Sequence, residues 1–169
     1  MSRSRRLRLA LVLLVAAVGC DQTAKQIARE SLASNLPVSL LNGLVRLEYT
    51  ENPGAFLSLG AGLPADVRFL LLVVFTSLFL GFVLLFLLRS SRLSTVQTAG
   101  LSLLIAGGSG NLLDRILNDG AVVDFVSLGI GSLRTGVFNL ADLAIVFGLV
   151  LFWAGEGRTQ ARKAEAAPG

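Results

Sequence analysis

The sequence predicts an all-α polytopic membrane protein. Four transmembrane helices with both termini cytoplasmic carry a small extracytoplasmic β-sheet at the outer membrane surface. Three observations predict it. Of the 169 residues, 53% are hydrophobic and only 15% charged, which is outside the range of soluble globular chains. Four apolar runs, near residues 7–28, 67–88, 94–113 and 138–155, each reach the length of about 20 residues that hydrocarbon requires. Nine of the fifteen Lys and Arg fall in three clusters, namely Arg3, Arg5, Arg6 and Arg8, then Arg89 and Arg92, then Arg158, Arg162 and Lys163. Each cluster flanks an apolar run, the charge pattern of cytoplasmic ends. The net charge of +4 therefore reads as membrane orientation and not as nucleic-acid affinity. Residues 29–66 and 114–137 become outer loops, and a single membrane-embedded domain is expected over residues 1–169.

The first run has two readings. Basic residues, an apolar stretch and Ala17-Val18-Gly19-Cys20 look like a lipoprotein signal peptide that is cut before a lipidated Cys20. Against that, the apolar pattern continues past Cys20, and Asp21 and Lys25 are spaced as an i,i+4 pair on one helix face. The uncleaved helix, with a buried and inert thiol, is the preferred reading. A single cysteine leaves no internal disulfide and no multi-cysteine metal site.

In the first outer loop, Val38-Ser39-Leu40-Leu41 and Leu44-Val45-Arg46-Leu47-Glu48-Tyr49 flank Asn42-Gly43. Asn-Gly between two such runs is a strong hairpin signal. Val45, Leu47 and Tyr49 alternate with Arg46 and Glu48, giving one apolar and one polar face. The second run is almost pure Leu, Val and Phe. The third is rich in small residues, with Gly100, Ser102, Ala106, Gly107, Gly108, Ser109 and Gly110, and is expected to be the central packing helix, because small residues let backbones approach in lipid. Residues 121–137, around Val122-Val123-Asp124-Phe125-Val126, are expected to add extended pieces to the sheet. The tail 157–169 is expected to fray.

Any chemistry is expected from carboxylates. There is no histidine, so neither a Ser-His-Asp system nor a histidine-bound metal is available. Asp124 lies in an apolar run and Asp142 just inside the fourth one. A carboxylate at membrane depth costs at least about 2.5 kcal/mol and marks a functional candidate. If the outer loop returns the chain, the two face each other, share one proton and titrate as a unit. Such a pair activates water for amide hydrolysis. The spacing equally allows Asp124 as an exposed loop residue, Asp142 as a helix cap, or a proton relay through Asp142 in a transport subunit. A membrane partner without activity is a further class. Asp114, beside Arg115, reads as an ionised scaffold for the loop that carries Asp124. Asn111 and Asn139 supply neutral donors and acceptors. The Pro53-Gly54 turn after Asn52 lets backbone approach a ligand.

Four blocks give the chain a resemblance to a known family. They are Asp21-Gln22-Thr23-Ala24-Lys25; Glu51-Asn52-Pro53-Gly54-Ala55-Phe56; Gly110-Asn111-Leu112-Leu113-Asp114-Arg115, followed by Val122-Val123-Asp124-Phe125; and Phe138-Asn139-Leu140-Ala141-Asp142. In this order, on four spans, they resemble the bacterial lipoprotein signal peptidases, or signal peptidase II. The resemblance implies an intramembrane aspartic endopeptidase of the bacterial inner membrane, with its active site on the extracytoplasmic side. Such enzymes cut signal peptides from diacylglyceryl-modified prolipoproteins just before the lipidated cysteine, without a cofactor or metal. It implies that Asp124 and Asp142 are the catalytic pair and that the Asn52–Gly54 segment cradles substrate. Asp21 and Lys25 match a family motif and are expected to form a structural ion pair with a substrate-side contribution; Lys25 meeting a lipid phosphate or snorkelling to water is the alternative. The family often reads Asn-any-Gly-Ala-Ala-Phe where this chain has Phe56 and Leu57 in the last two places, which leaves the pocket lining in doubt. Prolipoproteins and membrane lipid are the expected partners of a monomer, with no nucleic acid.

Overall fold

The computed structural model describes residues 2–54, 60–90 and 92–165, with side chains as far as Gly157. Ala55 and Phe56 of the second block, Leu57 after it, and the side chains of Arg158, Arg162 and Lys163 lie outside the described residues. Among the described residues four long helices are present: α1 (Arg3–Leu32), α2 (Ala65–Arg89), α3 (Thr95–Leu117) and α4 (Leu140–Glu165). Between α1 and α2 lie β1 (Val38–Leu40) and β2 (Val45–Asn52); between α3 and α4 lie β3 (Val122–Ile130) and β4 (Leu133–Arg134). The tail expected to fray is helical as far as Glu165. Cys20 is exposed on α1, where a buried thiol was expected.

Among the described residues, α1, α2 and the Leu140–Gly157 part of α4 are long and apolar enough to cross a membrane. The third apolar run becomes α3, which is as long but carries Ser, Gly, Asn and Asp where a lipid-facing helix carries Leu. The reason is its position. Its side chains from Gly100 to Ile105 are mostly buried, and Leu101, Leu104 and Ile105 pack with Leu80, Val83 and Leu87 of α2. A helix enclosed by its neighbours has no need of an apolar exterior.

The small residues set how close α3 and α4 come. A Cβ on Gly100 would lie 2.6 Å from the carbonyl oxygen of Gly148, and a Cβ on Gly148 2.6 Å from that of Gly100. A Cβ on Gly107 would run into the carbonyl oxygen of Ala141. Gly107→Val should therefore force the helices apart and cost about 1–3 kcal/mol, the usual range for overpacking. Thermal unfolding in detergent checks this, with Gly81→Ala as the control. Nothing lies within 4 Å of a Cβ at Gly81, so that variant should unfold no earlier than the wild type.

The termini of this packing differ. At one end Arg6, buried despite its charge, donates to the carbonyl oxygen of Ser90 in the α2–α3 connection, and Gln97 donates to Glu156 at 2.7 Å. α3 starts there with a capping box: Ser94 Oγ accepts from the N–H of Gln97, whose side chain accepts from the N–H of Ser94. At the other end lie the sheet and the conspicuous carboxylates.

The sheet is antiparallel in the order β1-β2-β3-β4. The expected hairpin forms, but Asn42-Gly43 does not join the strands by itself. Leu40 pairs with Val45, so Leu41 and Leu44 leave the ladder and the loop closes through Leu44 N–H donating to Leu41 O at 3.1 Å. Asn42 (φ 54°) and Gly43 (φ 88°) take the left-handed conformations that this residue pair tolerates. In β2, a bulge between Leu47 and Thr50 interrupts the alternation: Leu47 pairs with Val126, but Thr50 pairs with Asp124. One extra residue shifts the facing of everything after it. Asn52, opposite Val122, comes to the same face as Asp124.

Candidate active site

β3 is gripped on both edges. β2 pairs along one edge, and on the other Phe138 bridges Val126, with Phe138 N–H donating to Val126 O at 2.8 Å. The next residue, Asn139, is the N-cap of α4. The short chain from Phe138 to Asp142 thus brings the start of α4 against Asp124.

The cap is reciprocal. Asn139 Oδ1 accepts from the N–H of Asp142 at 2.9 Å, and Asp142 Oδ2 accepts from the N–H of Asn139 at 3.2 Å. That is the capping-box pattern written with Asn and Asp. Asp21 of α1 occupies another free donor of this helix end, accepting from the N–H of Ala141 at 2.9 Å. A carboxylate at a helix N-terminus is also favoured by the helix dipole.

Asn139 links the two aspartates. Its Nδ2 donates to Asp124 Oδ1 at 2.7 Å, while its oxygen and backbone hold Asp142. Asn52 Nδ2 donates to the other oxygen of Asp124 at 3.0 Å. Asn111 Nδ2 donates to Asp142 Oδ1 at 2.8 Å. All four carboxylate oxygens therefore accept from neutral donors. Asp124 is 2% exposed, and burial is the main force on its carboxyl. Hydrogen bonds from Asn52 and Asn139 and the charge of Lys25 oppose burial, the charge of Asp142 adds to it, and the result is pushed up to about 6.

The remaining candidates surround this pair. Lys25 Nζ lies 2.8 Å from Asp21 and 3.0 Å from Asp114, both buried. It also donates to Asn111 Oδ1 at 3.0 Å. Lys25 is 3% exposed, so it neither snorkels nor reaches a lipid phosphate. Asp114 Oδ2 accepts from the N–H of Val123 at 3.0 Å, which ties α3 to the residue before Asp124. Arg115 donates to Gly54 O at 2.7 Å and to Asn111 O at 3.2 Å, joining the first outer loop to α3. Gly54 N–H in turn donates to Asn52 Oδ1 at 2.9 Å. The structure thus gathers Asp21, Lys25, Asn52, Gly54, Asn111, Asp114, Arg115, Asp124, Asn139 and Asp142 at one end of the bundle.

Gln22 belongs to the same cluster, although the sequence alone assigns it no role. Its Nε2 donates to Asp114 Oδ1 at 2.8 Å. A polar residue between Asp21 and the apolar face of α1 is the signal that could have found it. Neither could spacing show that Asp21 caps α4, since 120 residues separate the partners.

Asp142 opens onto a cavity of about 320 Å³ lined also by Leu72, Thr76, Asn111, Arg115 and Ile145. Leu72 and Arg115 also line a neighbouring cavity of about 610 Å³ along α2. The α2 wall between them is a π-helical stretch, Leu70–Phe75. Asp124 is buried and does not line the cavity. An arrangement of two linked carboxylates, one buried and one facing an apolar cavity, can take a proton from water and give one to a carbonyl oxygen.

Comparison with known proteins agrees in both sequence and fold. The family model described as signal peptidase (SPase) II matches residues 13–155. The lipoprotein signal peptidase of Desulforapulum autotrophicum is 32% identical over 152 residues, covering 90% of this chain and 93% of that protein. The lipoprotein signal peptidase of Treponema denticola is 32% identical over 155 residues, covering 86% and 87%. A bacterial membrane enzyme solved by the in meso method at 2.3 Å resolution superposes with a TM-score of 0.79 at 24% identity, covering 95% of this chain and 94% of that one.

Proposed function

The chain belongs to the signal peptidase II family of lipoprotein signal peptidases, and we propose that it cuts diacylglyceryl-modified prolipoproteins just before the lipidated cysteine, with Asp124 and Asp142 as the catalytic pair. The observation that carries the mechanism is the Asn139 bridge: its side-chain amide donates to the Asp124 carboxylate and its backbone N–H donates to the Asp142 carboxylate. In the working state the pair keeps one proton. The ionised carboxylate takes a proton from water, whose oxygen attacks the scissile carbonyl carbon, while the protonated carboxylate donates to the carbonyl oxygen. The tetrahedral intermediate then breaks its C–N bond: the leaving amine takes a proton from the pair, and a hydroxyl of the intermediate returns its proton to the pair as the carbonyl re-forms, which restores the starting state. Asn52, Gly54 and Arg115 cradle the substrate backbone beside the cavity.

The topology proposed for this task has four spans, α3 included, with both termini cytoplasmic in the inner membrane and one domain acting as a monomer. The pair then lies at the outer ends of α3 and α4, at the depth of a scissile bond near the outer leaflet. The diacylglyceryl chains stay among the lipid-facing helices while the peptide passes under the sheet. Proton conduction has weaker support. Between Ser102 and Asn111 the buried residues of α3 are Leu104, Ile105, Ala106, Gly107, Gly108 and Gly110, none of which carries a proton.

The test is cleavage by the purified protein of one prolipoprotein with and without diacylglycerol on its cysteine. Only the lipidated form should be cut, with the lipidated cysteine at the new N-terminus. Cleavage of both forms alike, or of neither, sinks the reading. The pH profile adds a second readout. Burial raises the Asp124 carboxyl to about 6, so the shared proton is present below that pH and lost above it. Because kcat/KM reports the free enzyme, it should descend on the alkaline side with an apparent pKa near that value. A profile that stays level from about pH 5 to about pH 9 contradicts a shared proton.

A further inference from the structure

Lys25 heads a chain of hydrogen bonds whose direction follows from chemistry alone. An ammonium has three donors and no acceptor. Here they go to Asp21 Oδ2 at 2.8 Å, Asp114 Oδ2 at 3.0 Å and Asn111 Oδ1 at 3.0 Å. The third bond turns Asn111. With its oxygen on Lys25, its NH2 faces away and donates to Asp142 Oδ1. The same Asn111 oxygen accepts from Asn139 Nδ2 at 3.1 Å. That turns the second amide too, with Nδ2 on Asp124 and Oδ1 on the N–H of Asp142. If Asn111 were flipped, its NH2 would meet the ammonium and its oxygen would meet a carboxylate oxygen. An Asn amide is nearly symmetric in shape, so packing alone does not choose between the two orientations. A donor-only neighbour does.

We propose that Lys25 is a positioning residue that fixes, through Asn111 and Asn139, the direction in which both amides donate, and so keeps a donor on each of the two aspartates. This rests on the reading of Asp124 and Asp142 as the catalytic pair. Asp21 and Asp114 serve Lys25 in turn. They balance its charge in a buried place, and Gln22 holds Asp114 from the other side. The charged groups that face this cluster are Asp21 on α1, Asp114 and Arg115 on α3, Asp124 on β3 and Asp142 on α4; β2 contributes the neutral Asn52.

Lys25→Met keeps length and bulk but removes the donor and the charge. Asn111 then turns its oxygen to Asp142 in a fraction of molecules, and a carboxyl that faces an oxygen holds its proton more tightly. The expected result is a fall of about 10–100-fold in kcat, as when groups that orient active ligands are lost, with KM within about twofold. Removing the Lys25 charge also raises the Asp124 carboxyl directly, so the pH optimum should move to higher pH by both routes, and a variant that keeps Lys25 is needed to read the amide alone. Asn111→Asp is the second variant. It keeps the partner of Lys25 but offers Asp142 an acceptor, so its optimum should move the same way. Thermal unfolding in detergent reports folding for each. A folded Lys25→Met with the wild-type pH profile, whatever its activity, overturns the proposal. If Lys25→Met does not fold, Asn111→Asp decides, and a wild-type profile there overturns it equally. A wild type that fails to cut the lipidated prolipoprotein brings down the peptidase reading and this proposal with it. A wild type that cuts, beside variants whose profiles do not move, brings down this proposal alone.

Discussion

Asp124→Asn and Asp142→Asn should each lose at least about 10³-fold in cleavage of a lipidated prolipoprotein, within the range by which positioned acids and bases contribute. Asparagine keeps the outline of the side chain and removes the titratable proton. It is not a silent change at either position. Both oxygens of Asp124 accept from amides, those of Asn52 and Asn139, so an amide at 124 sets one NH2 against another. That mismatch costs about 1–3 kcal/mol, the price of an unsatisfied buried donor. Each variant therefore needs a thermal unfolding curve beside its rate. The double variant should be no slower than either single one, because groups that act as a unit are not additive. Asp114→Asn supplies the contrast. Asp114 holds Lys25, Gln22 and the N–H of Val123 and lies outside the cavity, so its loss should lower stability and leave measurable cleavage. Near-wild-type activity in folded Asp124→Asn or Asp142→Asn would move that residue to a scaffolding role and return Asp114 to candidacy.

How much of this was legible in the sequence depends on the range of the interaction. The apolar runs of α1, α2 and α4 are local facts of composition, and the hairpin follows from Asn42 and Gly43. The central place of α3 was legible because Gly100 and Gly107 have no use in a helix facing lipid but allow close approach to α4. Asp124 and Asp142 drew attention as carboxylates in apolar surroundings; their residue blocks carried the family resemblance. The geometry that joins them was not legible. The bulge between Leu47 and Thr50 has no signature in Glu48-Tyr49-Thr50, yet it decides that Asn52 and not Glu51 faces Asp124. Tyr49, expected on the apolar face with Val45 and Leu47, instead donates to Glu51 at 2.6 Å. The cap that Asp21 gives to Ala141 and the bond from Asp114 to Val123 join elements whose spacing carries no information. In the sequence the third apolar run is a span with small residues. The structure adds that its polar groups are needed inside, where Asn111 and Asp114 meet Lys25.

Asn139→Ala should be nearly as damaging as loss of an aspartate, for two separable reasons. Asn139 is fully buried, and its side chain does two tasks. As N-cap of α4 it accepts from the N–H of Asp142; removing such a cap costs about 0.5–2 kcal/mol. As a bridge it donates to Asp124 Oδ1, and to Asn111 Oδ1 and Val123 O at 3.1 and 3.3 Å. Alanine removes both, so melting should come earlier and kcat should fall by about 10²-fold or more, the lower end of acid–base contributions. Asn139→Ser separates them. A serine hydroxyl is as good a cap as asparagine but is too short to span from the cap of α4 to Asp124. Serine should therefore recover most of the lost thermal stability and little of the lost rate. If serine restores both, the amide bond to the Asp124 carboxylate is dispensable and Asn139 acts only on the helix end. If it restores neither, the site depends on the whole amide for its packing, and the separation of cap from bridge fails. The comparison needs no knowledge of which aspartate holds the proton, because the backbone N–H of residue 139, which donates to the Asp142 carboxylate, is the same in all three proteins.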